Sequence, residues 1–280
     1  MRPILRQLLI LMSAVLMIQN VCADEIRLIV RGDDLGMTQG SIAGFEKGFE
    51  QGVLTSASIQ VPAPWFEAAA ELAKQHPEWC FGVHLTLIGE WRGYRWGPVL
   101  PWGLLKSMVD EDGFLFRYPE ELAERRPQIE EIEAELNAQA AVAIKKGIRV
   151  DYLDIHYVSP SLIPGLDAVL GRLAAKYRVP VSGRLGERRA AGIYMAPPAQ
   201  KTAIAVKMLE DLKPGLWLWV AHIGVQSPEQ DALVHTKPED VFPDGVGKHR
   251  AAELSAIVSE EVKAIIQKRG IRLVSYRDLR

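Results

Sequence analysis

The chain has 280 residues, 48% apolar and 24% charged, with a formal net charge of -2. That length holds one large α/β domain or two small ones, and the apolar share is enough for a sizeable core. A charge so near neutral, with no long basic or acidic run, excludes a nucleic-acid surface or a charged tail as the organising feature.

Residues 1–23 read as a secretory signal peptide rather than as part of the fold. Arg2 and Arg6 give a positive start, Leu8 to Ile18 an apolar stretch too short to span a bilayer comfortably, and Val21-Cys22-Ala23 a small-residue cleavage site. Cleavage after Ala23 leaves Asp24 first and predicts a periplasmic or extracellular protein without a stable membrane anchor. Cys80 is then the one remaining cysteine. It has no partner for an internal disulfide and is expected to be a buried, small apolar residue.

Residues 24–280 read as one domain. The apolar run Ile26–Val30 predicts a buried strand, and Arg31-Gly32-Asp33-Asp34-Leu35-Gly36 follows it. Ile42, Phe45 and Phe49 fall at helical spacing, and Gly52 ends that helix. Thr55 to Val61 is a second strand, Trp65 to Gln75 an alanine-rich helix, and Phe81 to Leu87 a third strand that carries His84. Ile88 to Arg126 breaks the rhythm with glycines, prolines and four aromatics, Trp91, Tyr94, Trp96 and Trp102. So long an insertion is functional or disordered, and the aromatics argue against disorder.

Pro127 opens a helix with acidic first turns, closed by Lys145-Lys146-Gly147. Asp151 to Tyr157 is the fourth strand, Leu162 to Tyr177 a helix, Val179 to Arg184 a fifth strand and Lys201 to Leu212 another helix. Leu216 to His222 is the sixth strand. A polar loop, Gln226 to Gly247, precedes a helix with Leu254, Ile257, Val262 and Ile266 on one face, and Arg272 to Tyr276 is the seventh strand. Alternating strands and helices imply βαβ units. Seven mainly parallel strands without a dinucleotide glycine fingerprint predict a closed or nearly closed barrel.

Active sites of such barrels lie at the C-terminal strand ends. Asp33, Asp34, His84, Asp154, His156, Arg184 and His222 all fall there. Two adjacent carboxylates are costly as packing, and the bland alternative is a turn with Asp34 or Thr38 capping the next helix. Together with strand histidines, a metal site is favoured, because two imidazoles and a carboxylate with open positions suit zinc and related divalent ions. Asp154 shares a strand face with His156 and either ligates or orients a ligand. Arg184 either orients a carboxylate, binds substrate or forms a structural ion pair. His76, His235 and His249 are read as solvated.

Gly32-Asp33-Asp34-Leu35-Gly36-Met37-Thr38, Gly82-Val83-His84-Leu85-Thr86-Leu87 and Leu153-Asp154-Ile155-His156 resemble the three metal-site blocks of the YdjC-like carbohydrate deacetylases, the family that includes chitooligosaccharide deacetylases. The resemblance extends to His222 and to Arg250…Glu253-Leu254. It implies a distorted (β/α) barrel of about seven mainly parallel strands, like that of the polysaccharide deacetylases, one divalent metal ion (magnesium or zinc), and hydrolysis of an acetamide on an amino sugar. Carried over block by block, Asp34, His84 and His156 are the metal ligands, Asp33 the general base, and His222 a general acid or oxyanion partner. Tyr157, Val158 and Ser159 stand where many relatives carry further histidines, and Ile223 where many carry proline. These departures bear on the substrate, not on the ligands.

That chemistry needs no serine or cysteine nucleophile: metal-activated water attacks and Asp33 takes its proton. Trp91 and Trp96 either form a platform for sugar rings or pack the insertion as a satellite core. The rival readings are a metal hydrolase of another bond such as a phosphoester, a non-catalytic exported sugar-binding protein, and an iron oxygenase using the same ligand triad. The expected partner is an N-acetylated carbohydrate, with no nucleic acid; a homodimer is left open.

Overall fold

The computed structural model describes residues 25–236 and 242–280. The expected signal peptide lies outside the described residues.

The central strand, β1 (Ile26–Leu35), is buried at every position except Arg27. Its β-branched and aliphatic start suits a strand covered on both faces. α1 (Gln39–Gln51), β2 (Ser56–Ile59), α2 (Phe66–Gln75) and β3 (Cys80–Leu85) follow. After the insertion, with β4 (Trp91–Arg92) and α3 (Pro119–Glu124), come α4 (Ile129–Lys145), β5 (Val150–Ile155) and α5 (Leu166–Tyr177). The last third holds β6 (Arg188–Arg189), α6 (Lys201–Asp211), β7 (Gly215–Ala221), α7 (Pro228–Asp231), β8 (Val234–His235), α8 (Val246–Val258), α9 (Glu260–Lys268) and β9 (Arg272–Leu273).

The main sheet runs β5-β3-β2-β1-β7-β6, with β9 beside the start of β1. Its ladders are all parallel. The sheet curls into an open half-barrel with β5 and β6 as its two ends, the distorted barrel that the resemblance implies rather than a closed one. Alternate side chains point inward. Ile29, Cys80, Tyr152, Leu218 and Tyr276 fill the lower interior, and Cys80 is the buried apolar residue expected. A Cβ on Gly82 would lie 2.5 Å from the Tyr152 ring, so glycine there makes room for that ring. Above this apolar floor the same rows continue into Arg31, Asp33, His84 and Asp154, all buried.

The structure shortens several expected elements. Val179 to Arg184 is no strand: Val181 makes an isolated bridge to Leu153, and Pro180 and the left-handed Gly183 (φ 86°) interrupt any ladder. The short strand Arg188–Arg189 pairs with β7 instead. The last helix breaks at Ser259, whose hydroxyl accepts the Val262 N–H at 3.2 Å and caps α9. Loop 226–247 contributes β8, which pairs antiparallel with β4 and sets Trp91 opposite His235.

That pairing decides what the insertion does. Trp91 and Trp96 are only 1% and 3% exposed and pack with Met37, Leu115, Leu233 and Phe242 in a satellite core. They are packing residues and not an open sugar platform, because β4–β8 pairing folds the loop over them. His235 and His249 are buried as well, against Phe242, and are not solvated. No helix among the described residues is long and apolar enough to cross a membrane.

Candidate metal centre

The two adjacent aspartates are separated by the backbone. Asp33 ends the regular part of β1, where its side chain shares the inward face with Arg31, two residues earlier. At Asp34 the chain turns into the left-handed region, φ 70°, and the Met37 N–H donates to the Asp34 carbonyl at 3.1 Å. A non-glycine residue held there costs about 1–3 kcal/mol and is found where the surroundings dictate it. Asp34 does not cap the helix. Thr38 does: its hydroxyl accepts the Ser41 N–H at 3.0 Å in a reciprocal capping pair.

Asp33 is gripped by Arg31 through two parallel contacts, Nε to Oδ1 and Nη2 to Oδ2, both 2.7 Å. The same guanidinium lies 3.1 Å from Asp154 Oδ2 and donates to Ser182 Oγ at 2.6 Å. Burial opposes ionisation of Asp33, but Arg31 outweighs it and holds the carboxyl below its ordinary range. Arg31 therefore does for Asp33 what Arg184 was considered for. Arg184 is remote from these groups and pairs on the surface with Asp167 at 2.5 Å.

Asp34 is divided between two partners. Oδ2 accepts from Arg250 Nη2 at 2.6 Å. Among the described residues Oδ1 has no hydrogen-bond partner, although it is buried. It faces His84 Nε2 at 3.4 Å and His156 Nδ1 at 3.3 Å. Those two nitrogens are 3.1 Å from each other. Each imidazole turns its other nitrogen to a carboxylate: His84 Nδ1 to Asp154 Oδ2 at 2.9 Å, and His156 Nε2 to Glu90 Oε2 at 3.0 Å. Assigned from these partners, the protons sit on His84 Nδ1 and His156 Nε2. That leaves two nitrogen lone pairs and one carboxylate oxygen converging on one point.

Such convergence is repulsive unless a cation or an added proton lies between the three atoms. Ligand atoms ~2.0–2.2 Å from one ion lie roughly 3–3.5 Å apart in octahedral or tetrahedral geometry, which matches these separations. Charge agrees. Four buried carboxylates, Asp33, Asp34, Glu90 and Asp154, surround two buried guanidiniums, Arg31 and Arg250, so two negative charges are unmatched. The same field favours a proton on either imidazole. Burial alone pulls His156 down, but Glu90 and Asp34 outweigh it and push its pKa up to about 9. His84 is likewise raised, burial being overcome by Asp154 and Asp33. Burial also opposes the charge on Asp34, which Arg250 and the two imidazoles hold well below the carboxylate range. A second cluster, Asp33, His84 and Asp154, has its oxygens and nitrogen close together too. Arg31 already supplies the positive charge there.

His222 follows β7. Its backbone N–H donates to Glu253 Oε2 at 2.8 Å, and its ring lies 4.4 Å from that of Tyr194. Its Nδ1 is buried without a hydrogen-bond partner among the described residues. Burial lowers its pKa and prevails over Asp34 and Asp33, which act the other way. Glu253 is held in turn by Lys201 Nζ at 3.0 Å, both fully buried.

The sequence reading placed Asp33, Asp34, His84, Asp154 and His156 together, and so does the structure. It missed Arg31 and Glu90. Arg31 was legible from its two-residue spacing to Asp33; Glu90 sits in the irregular insertion and carried no signal. Arg250 entered only through the family pattern, without a partner.

The family model described as YdjC-like protein matches residues 27–268. A carbohydrate deacetylase of Brevibacillus brevis is 28% identical over 265 residues, covering 91% of this chain and 100% of its own length. One of Enterococcus faecalis is 27% identical over 274 residues, covering 90% of this chain and 98% of its own. Among solved structures, a protein of Enterococcus faecalis V583 described as a candidate cellobiose-phosphate cleavage protein superposes with a TM-score of 0.74. It is 24% identical, and the match covers 91% of this chain and 99% of that one, so the fold is shared along its length.

Proposed function

The chain belongs to the YdjC-like family, and from that premise we propose that it is a metal-dependent carbohydrate deacetylase, removing N-acetyl groups from an amino sugar or oligosaccharide. The observation that carries the metal dependence is the orphaned Asp34 Oδ1 facing His84 Nε2 and His156 Nδ1. The substrate class rests on relatives named carbohydrate deacetylase.

Asp34, His84 and His156 would hold one divalent cation. Two imidazoles in the set suit zinc and similar transition metals better than magnesium, which prefers oxygen. When bound, such a cation polarises the acetyl carbonyl and acidifies water. Asp154 and Glu90 fix the two imidazoles with their lone pairs inward. Asp33, ionised and oriented by Arg31, accepts the proton of the attacking water and returns it to the departing amine. Arg31 holds the Asp33 pKa down, so the carboxylate is ionised and free to accept the water's proton. For His222 the lowered pKa favours the oxyanion role of the two considered: a neutral imidazole N–H donates a hydrogen bond without first gaining a proton.

The test is metal analysis of the purified protein with acetate release measured across a panel of N-acetylated glycans. About one bound divalent ion per chain, with release abolished by chelation and restored by metal, is expected. Acetate release that survives complete removal of metal would contradict the reading.

We also propose export, on the strength of Arg2, Leu8 to Ile18 and Val21-Cys22-Ala23. N-terminal sequencing of protein from the producing cell should begin at Asp24; Met1 retained in an exported fraction would contradict it.

A further inference from the structure

We propose that Tyr157 is the aromatic ring against which the substrate sugar stacks, an inference that rests on the deacetylase reading of the site. Three observations meet at this residue. β5 delivers His156 to the cluster, and the chain then reverses within one residue. Tyr157 has φ 54°, and the Val158 N–H donates to the His156 carbonyl at 2.6 Å, closing a γ-turn around it. Positive φ in such a turn is rare and strained, and more so for a bulky side chain; glycine would adopt it freely.

Packing does not account for that strain. The Tyr157 side chain is 55% exposed, in contrast to the buried Trp91 and Trp96. A ring left this open gains little from burial, so its backbone conformation is not compensated by a core contact. Strained backbone beside a reactive group is characteristic of residues that serve ligand binding.

Position supplies the third observation. The ring centroid is 6.3 Å from that of His156 and 6.4 Å from that of His235. Trp65 and Trp102 are also exposed, but among the described residues neither has a ring contact with a cluster residue. A pyranose presents an apolar C–H face edged by hydroxyls, and an aromatic face with a polar tip complements it. A sugar lying on Tyr157 brings its acetamide to the ring's inner side, where Asp34, His84 and His156 converge.

The experiment uses the metal-loaded protein and its Tyr157→Gly and Tyr157→Phe variants. Metal content, melting temperature, and kcat and KM for acetate release are measured with an N-acetylated chitooligosaccharide and with 4-nitrophenyl acetate, which has no sugar. Tyr157→Gly should hold its metal and melting temperature, because glycine suits the turn. Its KM for the oligosaccharide should rise about tenfold, the size of one good aromatic contact, with ester turnover unchanged. Tyr157→Phe should keep the wild-type KM within a few-fold. An unchanged oligosaccharide KM in Tyr157→Gly overturns the proposal. So does an equal loss on both substrates, which would mean that the ring acts through His156. A wild-type protein that cleaves no glycan would overturn the deacetylase reading separately; calorimetric titration of the oligosaccharide then decides on Tyr157, with equal affinity in wild type and Tyr157→Gly counting against it.

Discussion

Arg250 meets Asp34 through one oxygen only, Nη2 to Oδ2 at 2.6 Å, and so leaves Oδ1 turned toward the imidazoles of His84 and His156. A helix 216 residues further along the chain thereby sets which oxygen of a strand carboxylate is free. Arg250 is 1% exposed and pairs with a 2% exposed acid. Replacing it by methionine leaves Asp34 as an uncompensated buried charge, a loss of about 3–5 kcal/mol. Metal affinity should fall as well, by roughly 10–100-fold, because the ligand is no longer oriented. Added metal should recover part of the lost melting temperature, since a cation compensates the same carboxylate. Thermal melts with and without metal check this; a variant equally stable in both conditions and equally tight for metal would contradict it.

The aromatic insertion makes the opposite prediction from a substrate platform. Trp91 is 1% exposed, stacks near Phe242 and lies edge-on to His235. Trp91→Ala should cost about 3–5 kcal/mol of stability, as large-to-small core substitutions of tryptophan do. At temperatures where the variant stays folded, KM should change little. Denaturant unfolding and steady-state kinetics on one preparation separate the two: a large KM change with unaltered stability would restore the platform reading.

What the chain's alternation made legible was the barrel and the rim of carboxylates and histidines, because both depend on strand periodicity. The different setting of the Asp33 and Asp34 side chains was not legible from the residues alone. It depends on the left-handed turn at Asp34 and on Arg250 from α8, neither of which periodicity encodes. Glu90 escaped for the same reason: an irregular segment brings it to His156, and no spacing rule applies to such a segment. The Val179 to Arg184 strand failed because Pro180 and Gly183 override the apolar pattern around them. Arg184 then falls on the surface beside Asp167.

The raised pKa of His156 gives opposite pH dependences for the metal-free fold and for metal binding. Its folded value, about 9, lies above the ordinary 6.5. In metal-free protein its stabilising contribution is therefore complete below about pH 6.5 and is lost as pH rises toward 9. Metal competes with that same proton, so affinity should strengthen across the window in which the fold loses its benefit. Denaturant melts of chelated protein and metal titrations at pH 6.5 and pH 9 measure both. Metal affinity that is flat with pH, beside a metal-free stability that rises toward pH 9, would contradict the arrangement.

The central claim is that Asp34 ligates a cation on which Asp33 depends without touching it, and metal stoichiometry of the two asparagine variants tests it most directly, read beside acetate release. Asp34→Asn should lose the ion, because a neutral amide replaces the carboxylate between the two imidazoles. Asp33→Asn should retain about one ion per chain while turnover falls ~10²–10⁴-fold, the usual cost of removing a general base. If Asp34→Asn kept its metal, or Asp33→Asn released acetate at the wild-type rate, the division of roles between the two adjacent carboxylates would be wrong.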